Sequence, residues 1–308
     1  MKKRLKRIFG GLLILLLVGV ALLDLSNRVM IFRVERTLAG SEHDDVVFVE
    51  VDGLQVATRQ YGFDEHPTFV LVHGFMGSSY DFHTLALALS ESHHIIAIDL
   101  IGFGMSDKPH DFDYSKSHQA DLVAQVVEAL GIDTYIIGGH SMGGEVVLRH
   151  AHRYSEQVTH LVLFASAGLQ SGQNRVMPRL FYHLIFKNYF IQRHVFASVF
   201  SDSSYQDAAQ FDPMFRVNST IPTRTLQAFS RASDDVAVID LLEEIAIPTL
   251  IIYGKEDTWT PSENGFIFEI HLPQSELILL EGVGHMPFIE GLSETLEHVR
   301  TFLKSPHP

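Results

Sequence analysis

The pentapeptide Gly139-His140-Ser141-Met142-Gly143 sets a hydroxyl between two glycines, where the apolar run Thr134 to Gly138 gives way to a helix-like segment, Glu145 to His150. A G-x-S-x-G match between strand and helix is a nucleophile elbow, a turn so tight that the serine is strained and its hydroxyl stands in the open. The flanking glycines let neighbouring backbone approach without a Cβ clash. A serine hydroxyl is a weak nucleophile and needs a base, which a third group must orient. Asp257 lies three residues past Gly254, just beyond the apolar run Thr249 to Tyr253, and is the candidate acid; its neighbour Glu256 is the alternative. The run after the pentapeptide ends Phe164-Ala165-Ser166-Ala167-Gly168, with no carboxylate. His285, in Glu281-Gly282-Val283-Gly284-His285-Met286-Pro287 after the last apolar run, is the candidate base among 18 histidines. His271, His298 and His307 fit less well, at a helix end, within a helix and in the tail.

Nucleophilic attack on a carbonyl also needs donors for the oxyanion, each contributing about 2.7–4 kcal/mol. The Met142 N–H, next after the serine, is one candidate. The second is the Phe75 N–H in the turn Val72-His73-Gly74-Phe75-Met76-Gly77-Ser78, with Met76 as the alternative and His73 holding the turn by hydrogen bonding.

These residues need a scaffold that brings distant loops together. Val46–Val51 and Leu54–Tyr61 alternate about Asp52-Gly53 and predict a hairpin. Strands are then expected at Thr68–Val72, His94–Asp99, Thr134–Gly138, Val158–Ala165, Thr249–Tyr253 and Glu276–Leu280. Helices are expected at Ser79–Ser90, Ser115–Leu130, from the pentapeptide to about Tyr154, at Ser262–Ile270 and from about Pro287 to Leu303. Continuous β-branched runs alternating with helices indicate a mainly parallel sheet covered on both faces. Between about Gln170 and Glu244 the rhythm breaks, and aromatics accumulate: Phe181, Tyr182, Phe186, Tyr189, Phe190, Phe196, Phe200, Phe211 and Phe215. A cap of short helices is expected there, most of its rings packing it onto the body and a minority lining an apolar pocket.

Taken with Asp99-Leu100-Ile101-Gly102-Phe103-Gly104-Met105-Ser106-Asp107-Lys108-Pro109, these motifs resemble the α/β-hydrolase superfamily over about residues 45–305. The branch most resembled includes serine esterases, monoacylglycerol lipases and meta-cleavage product hydrolases. The resemblance implies an eight-stranded, mainly parallel sheet with a helical cap after the sixth strand, divided as core 45–169 and 245–308 with cap 170–244. It assigns the triad to Ser141, Asp257 and His285, and the oxyanion hole to Phe75 and Met142. It implies ester hydrolysis through an acyl-enzyme, with C–C bond hydrolysis of a meta-cleavage product as an alternative. The turn Phe75-Met76-Gly77-Ser78 departs from the Gly-Pro-Gly type common in the C–C hydrolases. A further alternative is a ligand-binding protein that keeps the fold without the chemistry. Haloalkane dehalogenases and epoxide hydrolases share the Asp99–Pro109 type of loop but use an aspartate where Ser141 stands. Asp99 is accordingly expected to stabilise its loop.

The amino terminus adds a location. Five basic residues among the first seven precede Ile8–Leu23, which carries no charge. Residues 1–25 are expected to form a membrane anchor, engaging the bilayer through residues 8–25, since Val20-Ala21-Leu22-Leu23 makes a poor signal-peptidase site. A cleaved signal peptide, releasing a secreted body, is the alternative. The basic cluster places the terminus in the cytoplasm and the body outside it, with 26–44 as a linker. The chain has 308 residues and a net charge of −14, and positions 1–36 are basic, so the rest is more acidic still. Such a body lacks the basic footprint that nucleic-acid binding requires. Without cysteine there is no disulfide, thiolate zinc site or cysteine nucleophile. No metal motif or dinucleotide fingerprint is present, and no cofactor is expected. Asn218-Ser219-Thr220 matches the glycosylation-acceptor pattern. The expected partner is a small ester or lipid.

Overall fold

The computed structural model describes residues 18, 19, 22, 24–34, 46–169 and 177–305. Eight strands form one sheet: β1 (Val46–Val51), β2 (Leu54–Tyr61), β3 (Thr68–Val72), β4 (His94–Ile98), β5 (Tyr135–His140), β6 (Val158–Phe164), β7 (Thr249–Gly254) and β8 (Ser275–Leu280). Their spatial order is β1-β2-β4-β3-β5-β6-β7-β8. β2 runs antiparallel to β1 and β4, and all other pairs are parallel. Asp52 and Gly53 both take positive φ (51° and 75°), as a two-residue hairpin turn between twisted strands requires.

The helices are α1 (24–34), α2 (His83–Leu89), α3 (Lys116–Ala129), α4 (Met142–Arg153), α5 (Arg179–Phe186), α6 (Tyr189–Ala197), α7 (Ala208–Thr220), α8 (Thr223–Arg231), α9 (Glu263–His271), α10 (Pro287–Glu290) and α11 (Leu292–Lys304). α5 to α8 stand between β6 and β7. Alternation along the strands divides the core. Val70 and Val72 of β3 join Val123 of α3 and Val146 of α4 on one face. Phe69 and Leu71 join Leu85 of α2 and Phe302 of α11 on the other. Each such buried side chain contributes about 1.5–3 kcal/mol relative to exposure.

Three local differences from the sequence pattern matter. The expected helix from Ser79 begins as a 3-10 turn, Ser79–Phe82, whose capping box joins Ser78 and Asp81. The helix expected from Pro287 to Leu303 breaks at Gly291, where a Cβ would sit 2.9 Å from Leu280 Cδ1. Residues 26–34, expected as linker, are helical. Asn27 and Val34 of α1 are buried, and Val34 packs with Met30 and Ile31 against Tyr189, Phe211 and Phe215. Positions 27, 30, 31 and 34 are one helical face, a spacing that could have identified the helix. The opposite face leaves Leu25, Val29 and Phe32 exposed. Most of the expected membrane segment, residues 8–25, lies outside the described residues. Among those described, no helix is long and apolar enough to cross a membrane.

His150 of α4 packs α4 against α3 and β5. Its Nδ1–H donates to Ala120 O (3.0 Å) and its Nε2 accepts from Tyr135 Oη (2.6 Å). Burial pushes this imidazole down from 6.5 to about 4. Between those values the unfolded chain binds the proton and the folded chain does not, so stability falls as pH drops through that window. In a His150→Gln variant the loss of unfolding free energy from pH 7 to pH 5, read from urea midpoints, is expected to be about 2 kcal/mol smaller than in the wild type.

Candidate active site

The carboxyl ends of β3, β5, β7 and β8 converge on one edge of the sheet, where open α/β sheets bind ligands. At the end of β5, Ser141 takes φ 51° and ψ −118°, left-handed for a side-chain-bearing residue, and α4 starts immediately after it. Its amide donates to Phe164 O (3.0 Å), tying the turn to β6. The neighbouring glycines are required by contact. A Cβ on Gly143 would stand 2.2 Å from Val72 O, and one on Gly139 would stand 2.3 Å from Gly143 O.

His285 is held from three sides. Its Nδ1–H donates to Asp257 Oδ2 (2.8 Å). Its backbone N–H donates to Val199 O (2.8 Å), and its carbonyl accepts from His140 Nε2 (2.9 Å). His140 is the residue before Ser141, so the His285 loop is bonded directly to the elbow strand. Burial, reinforced by the nearby His285, pushes the His140 imidazole down to about 3 and keeps it neutral. Asp257 Oδ1 accepts the Trp259 and Thr260 amides (2.8 and 3.0 Å), and Thr260 Oγ1 lies 2.8 Å from Oδ2. Burial alone would raise the Asp257 carboxyl, but the His285 hydrogen bond and charge, with the Thr260 bonds, outweigh it and hold the group below its ordinary value. His285 therefore faces an ionised partner. The Ser141 hydroxyl has no hydrogen-bond partner among the described residues, a looseness common before substrate closes the contact.

Glu256 is turned elsewhere: its Oε2 accepts the Val283 amide (3.0 Å) and so braces the His285 loop. His271 pairs with Glu243 on the surface (3.2 Å), away from this edge. Asp99 accepts the Ser79 amide at Oδ1 (2.6 Å) and the Met105 amide at Oδ2 (2.7 Å), as a loop-stabilising role requires.

The Phe75 N–H is oriented by the carbonyl that shares its peptide plane. His73 Nδ1–H (2.7 Å) and the Gly77 amide (3.1 Å) both donate to Gly74 O. The plane is planar and trans, so fixing that carbonyl points the Phe75 N–H the opposite way. His73 Nε2 accepts from the Leu100 amide (3.1 Å), which fixes the ring in turn. Phe75 N–H has no acceptor among the described residues, and Met142 opens α4, where an amide has no intrahelical partner. The Phe75 ring meets Phe103, Phe186 and Phe229 edge-on at 5.5, 5.9 and 6.4 Å, forming an aromatic wall that reaches α5 and α8. Of the other cap aromatics, Tyr189, Phe211 and Phe215 pack α1, while Phe196 and Phe200 meet the body.

Three further residues at this edge lie outside the motifs that point to the site. Trp259 stacks on His285 (centroids 6.3 Å, 27°), and its indole N–H donates to Ser198 O (3.2 Å). Glu290 Oε1 accepts the Gly284 amide (2.9 Å) and Oε2 the Ser201 amide (2.7 Å), latching the His285 loop to the segment after α6. Asn218, read as a glycosylation acceptor, is buried, and its carboxamide donates to Met76 O (2.5 Å).

An elbow serine, an Asp–His pair and two free amides at one sheet edge define a hydrolase-type site on this fold. The sequence profile of the alpha/beta hydrolase fold matches residues 67–292, and the chain belongs to that family. It is similar to Lipase 1 of Psychrobacter immobilis, 28% identical over 254 residues, which cover 76% of this chain and 75% of the lipase. It is also similar to the 2-hydroxy-6-oxo-6-(2'-aminophenyl)hexa-2,4-dienoic acid hydrolase of Metapseudomonas resinovorans, 25% identical over 85% of this chain and 93% of that one. Among solved structures, a membrane phospholipase A described as a novel bacterial virulence factor matches 97% of this chain and 98% of its own, with TM-score 0.74 and 27% identity.

The Gly143 contact gives a direct test. Backbone lies on the opposing side, so Gly143→Ala should cost about 3 kcal/mol of unfolding free energy in urea. The same variant should lose reaction with a phosphonate probe, because the turn carrying Phe75 is displaced.

Proposed function

We propose that this α/β hydrolase is a membrane-anchored serine hydrolase that cleaves carboxylic esters, lipid-derived ones in particular. The observation that carries the reading is the convergence of Ser141, in its left-handed turn, with the 2.8 Å Asp257–His285 hydrogen bond and the free Phe75 and Met142 amides. In this reading His285 Nε2 takes the proton from Ser141 Oγ as the oxygen attacks the ester carbonyl carbon. The Phe75 and Met142 amides receive the oxyanion. The intermediate collapses by expelling the alcohol, which takes the proton from His285. Water, deprotonated by the same nitrogen, then attacks the acyl-enzyme and releases the acid. Asp257 stays ionised throughout, fixing the tautomer and stabilising the imidazolium.

Two observations support a lipid substrate. The aromatic wall around Phe75 offers an apolar path for an acyl chain. The similar proteins include a lipase and a membrane phospholipase A. We place the amino terminus in the cytoplasm and the catalytic body on the far side, on the strength of the five basic residues ahead of the apolar stretch.

A fluorophosphonate probe should label the wild-type protein and leave Ser141→Ala unlabelled. Asp257→Asn should lower kcat about 10⁴-fold on a simple ester. Across esters of increasing acyl length, kcat/KM should rise up to about fourfold per methylene, the equivalent of about 0.8 kcal/mol. A flat profile beyond butyrate would remove the lipid assignment. Cleavage of a meta-cleavage dienoate with no ester turnover would replace it by C–C hydrolysis.

A further inference from the structure

Met76 takes φ +60° in the turn that presents the Phe75 amide. The Gly77 amide closes that turn on Gly74 O, so Met76 stands third of four, where a positive φ ordinarily calls for glycine or asparagine. A methionine persists in such a conformation only where its surroundings hold it. Asn218 of α7 supplies that hold by donating from Nδ2 to Met76 O (2.5 Å). The side chain is 1% exposed, so water cannot substitute for it.

Asn218 is itself supported. Lys187, the residue closing α5, donates from Nζ to the carbonyls at the end of α7: Asn218 O (3.5 Å), Ser219 O (2.5 Å) and Ile221 O. A lysine on the final carbonyls of a helix satisfies acceptors that the helix leaves open. The main chain of Lys187 is gripped by α1. Asn27 Nδ2 donates to Lys187 O (2.8 Å), while Asn27 Oδ1 accepts the Tyr189 amide (2.7 Å). One carboxamide thus bridges the groups on either side of Asn188, at the corner between α5 and α6. A continuous polar path runs from Asn27 through Lys187 and Asn218 to Met76, next to the amide assigned to the oxyanion.

We propose that Asn218 is a positioning residue that holds the oxyanion turn in its strained, competent form, and that α1 supports it through Asn27 and Lys187. The inference rests on the serine-hydrolase reading for its catalytic consequence, but not for the clamp itself. Without the Asn218 donor, Met76 relaxes to negative φ and the Phe75–Met76 peptide rotates, carrying the neighbouring Phe75 amide out of line. The amino-terminal helix is then part of the catalytic support as well as the route to the membrane. Detachment of α1 from the cap reaches the oxyanion hole without moving Asp257 or His285, which lie outside this path.

The test uses the full-length protein in detergent micelles, with p-nitrophenyl butyrate as substrate. Asn218→Leu keeps the branched shape and removes the donor; Asn218→Ala, which adds no bulk, and Asn27→Ala accompany it. Asn218→Leu is expected to lower kcat about tenfold or more, with KM within about twofold, short of the 10²–10³ lost with an oxyanion donor outright. Asn27→Ala should change kcat in the same sense, by about two- to threefold. Hydrogen–deuterium exchange should quicken in residues 73–78 and stay unchanged in 282–286 for both variants. Wild-type kcat in Asn218→Leu overturns the proposal, as does equal quickening of both loops, which would mean general loosening. Should the wild type neither hydrolyse the ester nor take the phosphonate, the hydrolase reading fails. The exchange measurement then still decides the clamp, which falls if residues 73–78 are unaffected.

Discussion

The first turn of α4 lies against the carboxyl end of β3 with no side chain between them, and the site is built on that contact. A Cβ on Gly143 would stand 2.2 Å from Val72 O and 2.5 Å from His73 O. The approach sets the start of α4, with the Met142 amide, beside the turn that carries Phe75. It also accounts for the left-handed Ser141, since the chain must reverse from β5 into α4 within one residue. The strain falls at Ser141 and is held by the buried strands on both sides, a distribution common to functional sites.

From that contact the remaining parts follow by hydrogen bonds to backbone. His140 reaches from the elbow strand to the carbonyl of His285, and Val199 takes the amide of the same residue. Glu290 and Glu256 hold the amides of Gly284 and Val283. His73 orients one peptide plane, and Asn218 holds the next carbonyl but one. Buried polar groups must find partners, and here most of those partners are main-chain groups of loops that would otherwise be loosely placed. Precision in the site therefore comes from a ring of side chains that meet no substrate.

The sheet was legible because its signals are local. Strands β1 to β3 fall where the alternating and β-branched runs predict them, and the others agree to within two residues at either end. The pairing of His285 with Asp257 was legible through chain order and position after a strand. Choosing Asp257 over Glu256 rested on one residue of phase, and the structure turns the two carboxylates to different partners. What the sequence hid is long-range. Glu290 looked like an ordinary helical glutamate, and only the break at Gly291 releases the chain there. Asn218 falls in a three-residue pattern that has no bearing on burial. The pattern of α1 is weak because its buried face is short and interrupted by Asn27, a polar residue whose partners are more than 150 positions away.

Trp259 is the only tryptophan in the chain. Its ring lies over His285 while its indole N–H holds Ser198, at the end of the first two cap helices. Under excitation that spares the nine tyrosines, indole emission from the unmodified protein therefore originates at a single place, where the His285 loop meets the segment after α6. A shift in its colour or lifetime can be ascribed to that junction without an attached dye, and a change in how the segment after α6 packs beside His285 becomes a spectroscopic observable of the native molecule.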